Sequence, residues 1–291
     1  MLPGKSSCKL LAAVLALALC ASAWARETLT ANRTYFVSTS GSDSNDCLTA
    51  GTACRTKQYV SNLIQSTLDL ACNKVIVQSL PGTYTDPLSV TGPYMGACSR
   101  KAVQFLGDTA GPYTNVTQSV TDANAFQVND GASIFIEGFY CLATGNGLFT
   151  GFCLLANGGR INFGQMNFGQ TSGAHIDAGG NSSFIQSMSS WYVISGGASI
   201  HAIAEANAII AVTNAVIVTL QPVAYSVAFT QVDQNASIIF TGSSMAGYCY
   251  TSTGKKWNAI SNGVIDTGGK GEDWPCGSIP GGPRSLGGVY Y

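Results

Sequence analysis

Charge is the scarcest commodity in this sequence of 291 residues: charged side chains make up 10% of it and the net charge is -1, against a usual charged fraction of about 25%. A chain so poor in cations offers no electrostatic footprint for a phosphate backbone, which argues against nucleic acid as a partner. Histidine is limited to two residues, His175 and His201, and no C-x-x-C occurs. Both absences argue against a zinc site, and no metal or cofactor is expected. There is no G-x-S-x-G elbow and no phosphate loop. Beyond the first 25 residues no apolar run reaches the length of a membrane helix. Disorder is excluded in turn by a 46% apolar content. Ser, Thr, Asn and Gln fill the polar positions, so the surface is neutral and rich in hydroxyls and amides.

Residues 1–25 read as an export signal. Lys5 and Lys9 precede the apolar run Leu10 to Leu19, and Ala23-Trp24-Ala25 supplies a small-x-small cleavage site. Leu17-Ala18-Leu19-Cys20 is a competing lipobox, weakened by Leu19, where a small residue belongs. A secreted or periplasmic location follows, and with it an oxidising compartment. Cys47, Cys54, Cys72, Cys98, Cys141, Cys153, Cys249 and Cys276 then remain as an even set suited to disulfides.

The middle of the chain repeats one phrase, an Asn in a turn followed by small residues and a short apolar strand. It begins at Asn129, Asn157, Asn181, Asn207 and Asn235, spaced 28, 24, 26 and 28 apart. Strands too short to build a core alone, recurring at this period, mark a solenoid in which each unit covers the next. Alternation puts Ile134 and Ile136 on the core face against Phe135 and Glu137, and Ile161 and Phe163 against Arg160 and Asn162. GGASI at 196–200 copies the phrase at 131 but falls out of step with the Asn series. Because sequence neighbours in a solenoid are neighbours in space, the expected pairs among the 105 connectivities open to eight Cys are Cys47 with Cys54, Cys72 with Cys98, Cys141 with Cys153, and Cys249 with Cys276.

The segment from Arg33 to Gln58 carries Tyr35, Val37, Gly41, Ser42, Asp43, Asn45, Asp46, Leu48, Thr56 and Gln58 in a strand, a Gly-Ser-Asp-x-Asn-Asp turn and a Thr-x-Gln helix entry. On these residues the chain resembles secreted right-handed parallel β-helix proteins of the pectate-lyase-like superfamily. VIVQSLPGTYTDPLSV at 75–90 resembles their first coil. Cys47 and Cys54 depart from the pattern, which suggests a disulfide in place of ordinary turn chemistry. Asp43 and Asp46 suit a calcium site or, more simply, a turn that binds its own backbone. KWNAISNGVIDTGG and the tail SLGGVYY are similar to terminal segments of phage tail-fibre and bacterial surface β-helix proteins.

The expected fold is therefore all-β, a single-stranded right-handed parallel β-helix. Residues 26–74 should form a strand, turn and capping helix, residues 75–242 the β-helix, and residues 243–291 an irregular Gly/Pro-rich cap. The catalytic strings of enzymes in the resembled superfamily are absent, as is any adjacent pair of acids within the coils. Two functions stay open: a non-catalytic protein contacting polysaccharide or a cell-surface component, and a polysaccharide lyase or glycoside hydrolase whose site is assembled across coils. His175, Asp177, His201 and Glu205, with Arg160 nearby to hold an acidic sugar, are the catalytic candidates. His175 and His201 lie 26 residues apart and Asp177 and Glu205 lie 28 apart, near one coil in each case. The expectation is an outward-facing cluster in which removing His201 leaves the thermal midpoint nearly unchanged.

Overall fold

A computed structural model describes residues 26–110, 113–147, 150–282 and 284–291; the export signal and lipobox readings lie outside them. The chain winds into a parallel β-solenoid of about eight turns. Three sheets of ten, seven and eight strands run along it, and every coil contributes its strands to them in the same order. A typical coil passes from Arg160–Phe163 in the ten-stranded sheet to Asn167–Thr171 in the seven-stranded sheet and Ala174–Gly179 in the eight-stranded sheet.

What fixes the stack is a file of identical side chains. Ile134 pairs with Ile161, and the file continues through Ile185, Ile210, Ile238 and Ile265. All six are fully buried. β-Branched residues in register fill the interior layer after layer, and each such burial contributes about 1.5–3 kcal/mol. The opposite face behaves as alternation predicts in direction but not in exposure. Phe135 and Asn162 point away from the interior and are nonetheless buried, and Lys101 Nζ sits 4.0 Å from the Phe135 ring centroid.

The turns explain the imperfect Asn period. Each passage from the eight-stranded to the ten-stranded sheet needs a reversal, and five of these use two successive left-handed residues: Asp130-Gly131, Ala206-Asn207, Gln234-Asn235, Ser261-Asn262 and Leu286-Gly287. Asn and Gly tolerate that conformation best, hence their recurrence. Asn129 and Asn157, however, are the last residues of paired strands and face each other across the ladder. One recurring letter thus serves two positions. GGASI at 196–200 feeds the strand Ala198–Ala204 of the eight-stranded sheet, whereas its copy at 131 feeds Ser133–Glu137 of the ten-stranded sheet. That places the two copies on different sheets and removes the conflict.

The ladder is longer than the Asn phrase marks. It includes Arg33–Val37, which pairs with Val75–Ser79. Past Gly242 it continues through Ser244–Gly247, Thr253–Ile260, Val264–Asp266, Arg284–Ser285 and Val289–Tyr290. Helix α1 (Lys57–Thr67) lies at the N-terminal end, with Val60 and Ile64 fully buried. Thr56 caps it by accepting from the Tyr59 N–H. Asp43 in turn accepts from the Arg55 and Thr56 N–H groups and the Thr56 hydroxyl, and Asp46 from the Leu48 N–H and the Thr52 hydroxyl. Both carboxylates organise the turn. The four disulfides join Cys47 to Cys54, Cys72 to Cys98, Cys141 to Cys153 and Cys249 to Cys276. Among the described residues no helix is long and apolar enough to cross a membrane.

Candidate functional site

The strand Ala174–Gly179 decides the fate of the catalytic candidates. Strict alternation would turn His175 and Asp177 outward around Ile176. Asp177 does face out and Ile176 does face in, but His175 also turns inward, so alternation breaks between 175 and 176. His201, one coil on, does the same. Both imidazoles are fully buried within the solenoid, with their Nδ1 atoms 3.0 Å apart. The outward-facing histidine cluster does not exist.

Their protons can be assigned from the partners alone. The Gly169 carbonyl only accepts, so His175 Nε2–H donates to it at 2.8 Å. Burial pushes the His175 imidazole down to about 4, leaving it neutral and its Nδ1 an acceptor. His201 Nδ1–H therefore donates to His175, and His201 Nε2 accepts from the Tyr192 hydroxyl at 2.8 Å. Burial, and then the neighbouring His175, hold His201 well below its usual range. Every ring nitrogen is satisfied, as a buried polar network requires. His201 is also stacked on Phe229 at 4.8 Å. The pair is part of the core.

Arg160 separates from the group as well, because it belongs to the ten-stranded sheet. Asp177 and Glu205 stay together. Asp177 pairs in register with Ile203, and Glu205 follows two residues later on the same outer face of the eight-stranded sheet. Both line a cavity of about 360 Å³ roofed by the 145–152 segment, and both line an adjoining cavity of about 270 Å³. The first has an apolar floor of Phe152, Ala174, Ile200 and Ile203, ringed by the hydroxyls of Thr150, Ser172 and Ser199. The second is bordered by Asn124, Gln127 and Asn157. The Cys141–Cys153 disulfide closes the roofing segment at its base, and Gly145 N–H donates to Ser172 Oγ at 2.7 Å.

Electrostatics separate the two acids. Asp177 is 7% exposed and its Oδ1 has no hydrogen-bond partner among the described residues. Burial, followed by the Glu205 charge, pushes its carboxyl up to about 8. Glu205 is also raised, by burial and then by Asp233. Asp233 stands a further 28 residues along and completes a row of acids on successive coils. Below that row runs a chain of amides: Asn124 Nδ2 donates to Gln127 Oε1, and Gln127 Nε2 to Asn129 Oδ1. Sequence reasoning missed Gln127, Leu155 and Asp233. The 28-residue step from Glu205 to Asp233 was the available signal.

No protein-family model, curated protein or solved structure matches the chain. The family resemblances of the N-terminal coil and of the C-terminal segment thus have no relative behind them, and the parallel solenoid stands on the strand pairing itself.

Proposed function

We propose that this is an exported β-helix protein that contacts polysaccharide through the outer face of its eight-stranded sheet. The observation that carries the reading is that two adjoining cavities share Asp177 and Glu205, which makes one groove across successive coils. A sugar ring has apolar C–H faces and a hydroxyl rim. The apolar floor with hydroxyls, amides and carboxyls around it matches both, and concave, mostly apolar sites with a few polar groups are what ligands of this size occupy. The four disulfides accord with an extracellular protein, and residues 1–25 have the composition of an export signal. The resemblance to pectate-lyase-like β-helices points the same way.

A second reading, glycoside hydrolysis, is favoured by the protonated state of Asp177. With strands about 4.8 Å apart and a rise of about 3.3 Å per residue, its backbone and that of Glu205 stand about 8 Å apart. Carboxyl pairs of inverting glycosidases are separated by roughly 6.5–9.5 Å. Asp177 would donate its proton to the glycosidic oxygen as the C–O bond breaks, while ionised Glu205 takes a proton from the water that attacks the anomeric carbon. Neutral and acidic polysaccharides set in native gels, with reducing ends assayed in parallel, test both readings. Retardation by at least one polysaccharide is expected, and hydrolysis adds reducing ends that Glu205→Gln abolishes. Mobility unchanged on every polysaccharide would remove the first reading, and binding without products would remove the second.

A further inference from the structure

Cations are few in this chain, yet three of them gather on the ten-stranded sheet without an acid to balance them. Arg160 rises from the strand Arg160–Phe163, and the 93–102 segment, tied down by the Cys72–Cys98 disulfide, brings Arg100 and Lys101 beside it. Between segment and sheet lies a cavity of about 450 Å³ lined by Ser99, Arg100, Ser133 and Arg160 with Tyr94 and Gly131. The ion pairs of the described residues join Arg33 to Glu27, Lys256 to Asp273 and Arg284 to Glu272, and involve none of the three cations here.

Each cation is held by neutral groups. The Arg160 guanidinium lies 4.3 Å from the Phe184 ring centroid, and Arg100 Nη1 donates to Gln186 Oε1 at 2.7 Å. Lys101 rests on Phe135. These contacts orient the positive groups while leaving their charge unneutralised. Burial, followed by the Arg100 charge, lowers the Arg160 guanidinium, and no carboxylate acts in the opposite direction.

We infer that this pocket binds an oxyanion carried on a saccharide, a uronate carboxylate or a sulfate ester, between Arg100 and Arg160. Two guanidiniums and the Ser99 and Ser133 hydroxyls supply the charge-assisted donors that a carboxylate or sulfate accepts in forked pairs. The inference goes beyond the groove on the eight-stranded sheet, since it concerns another sheet and a ligand defined by its charge.

Calorimetric titration of the full mature chain with oligogalacturonate, a sulfated glucosamine–uronate oligosaccharide and neutral cello-oligosaccharide tests it. At least one acidic oligomer should bind, with an affinity that falls as salt rises. Arg100→Gln and Arg160→Gln should each weaken that binding by about tenfold or more, whereas Arg160→Lys, which keeps the charge and loses the fork, should fall between. Preference for the first or second oligomer distinguishes carboxylate from sulfate. Neutral-oligomer binding should be untouched by the same variants, which separates this site from the groove. Neither acidic oligomer binding, or acidic binding unchanged in both Gln variants with an unaltered thermal melt, would overturn the proposal.

Discussion

His201 shows how one backbone irregularity reverses an expectation about a residue. Its spacing from His175 was legible in the sequence, but alternation alone put the ring in solvent, because nothing in the letters marks the break between 175 and 176. In the core, His201→Ala opens a cavity and orphans both the Tyr192 hydroxyl and the His175 ring. It should therefore destabilise by about 2–5 kcal/mol, read as a lowered chemical-denaturation midpoint; an unchanged midpoint would return the ring to the surface. The titration signs also differ between neighbours. A His whose folded value lies below its unfolded value of 6.5 contributes stability above that pH, and it is lost as pH falls toward about 4. Asp177 is the reverse: raised from 3.8 to about 8, it favours the fold below pH 3.8 and loses that contribution as pH rises through 8. Asp177→Asn should accordingly raise the thermal midpoint at pH 8 and change it much less at pH 4. Equal shifts at both would mean that Asp177 titrates normally.

At the scale of the element, the short strand and its turn carried most of the readable signal. Ile134, Ile136, Ile161 and Phe163 were placed in the core by alternation, and all are fully buried. Ile210 continues that file while Ile209 beside it faces out at 37% exposure, so Ile210→Ala should cost about 2–5 kcal/mol and Ile209→Ala much less. Similar losses at both positions would place the register one residue out. The extent of the ladder was less legible, because after Asn235 the reversal is made by Ser261-Asn262 and Leu286-Gly287 without the flanking phrase. Helix α1 was expected as a cap, but its buried Lys57 was not. Lys57 Nζ lies 3.8 Å from the Tyr84 ring centroid, and burial pushes it down to about 7 against the opposing pull of Asp86. Lys57→Met removes a cation that is costly to bury and should raise the thermal midpoint at pH 7 by a few degrees; a fall would mean that the ring contact outweighs desolvation.

For the whole molecule, pairing among sequence neighbours follows from a topology in which contacts are made one coil at a time. That is why all four disulfides could be read from order along the chain while a site spanning several coils could not. Asp177 and Glu205 were found because they repeat near the coil period; Gln127 and Leu155 share their face through strand register, which spacing does not encode once coils differ in length. The account stands on this composite face being a saccharide groove. Its most direct measurement is nuclear magnetic resonance of the full mature chain, following the side-chain amides of Gln127, Asn129 and Asn157 and the Asp177 carboxyl while neutral and acidic oligosaccharides are added. The account predicts that at least one oligosaccharide shifts these four signals together in a saturable way and moves the Asp177 titration from about 8. Signals that stay fixed with every oligosaccharide, or an Asp177 carboxyl that titrates near 4 and ignores them all, would contradict it.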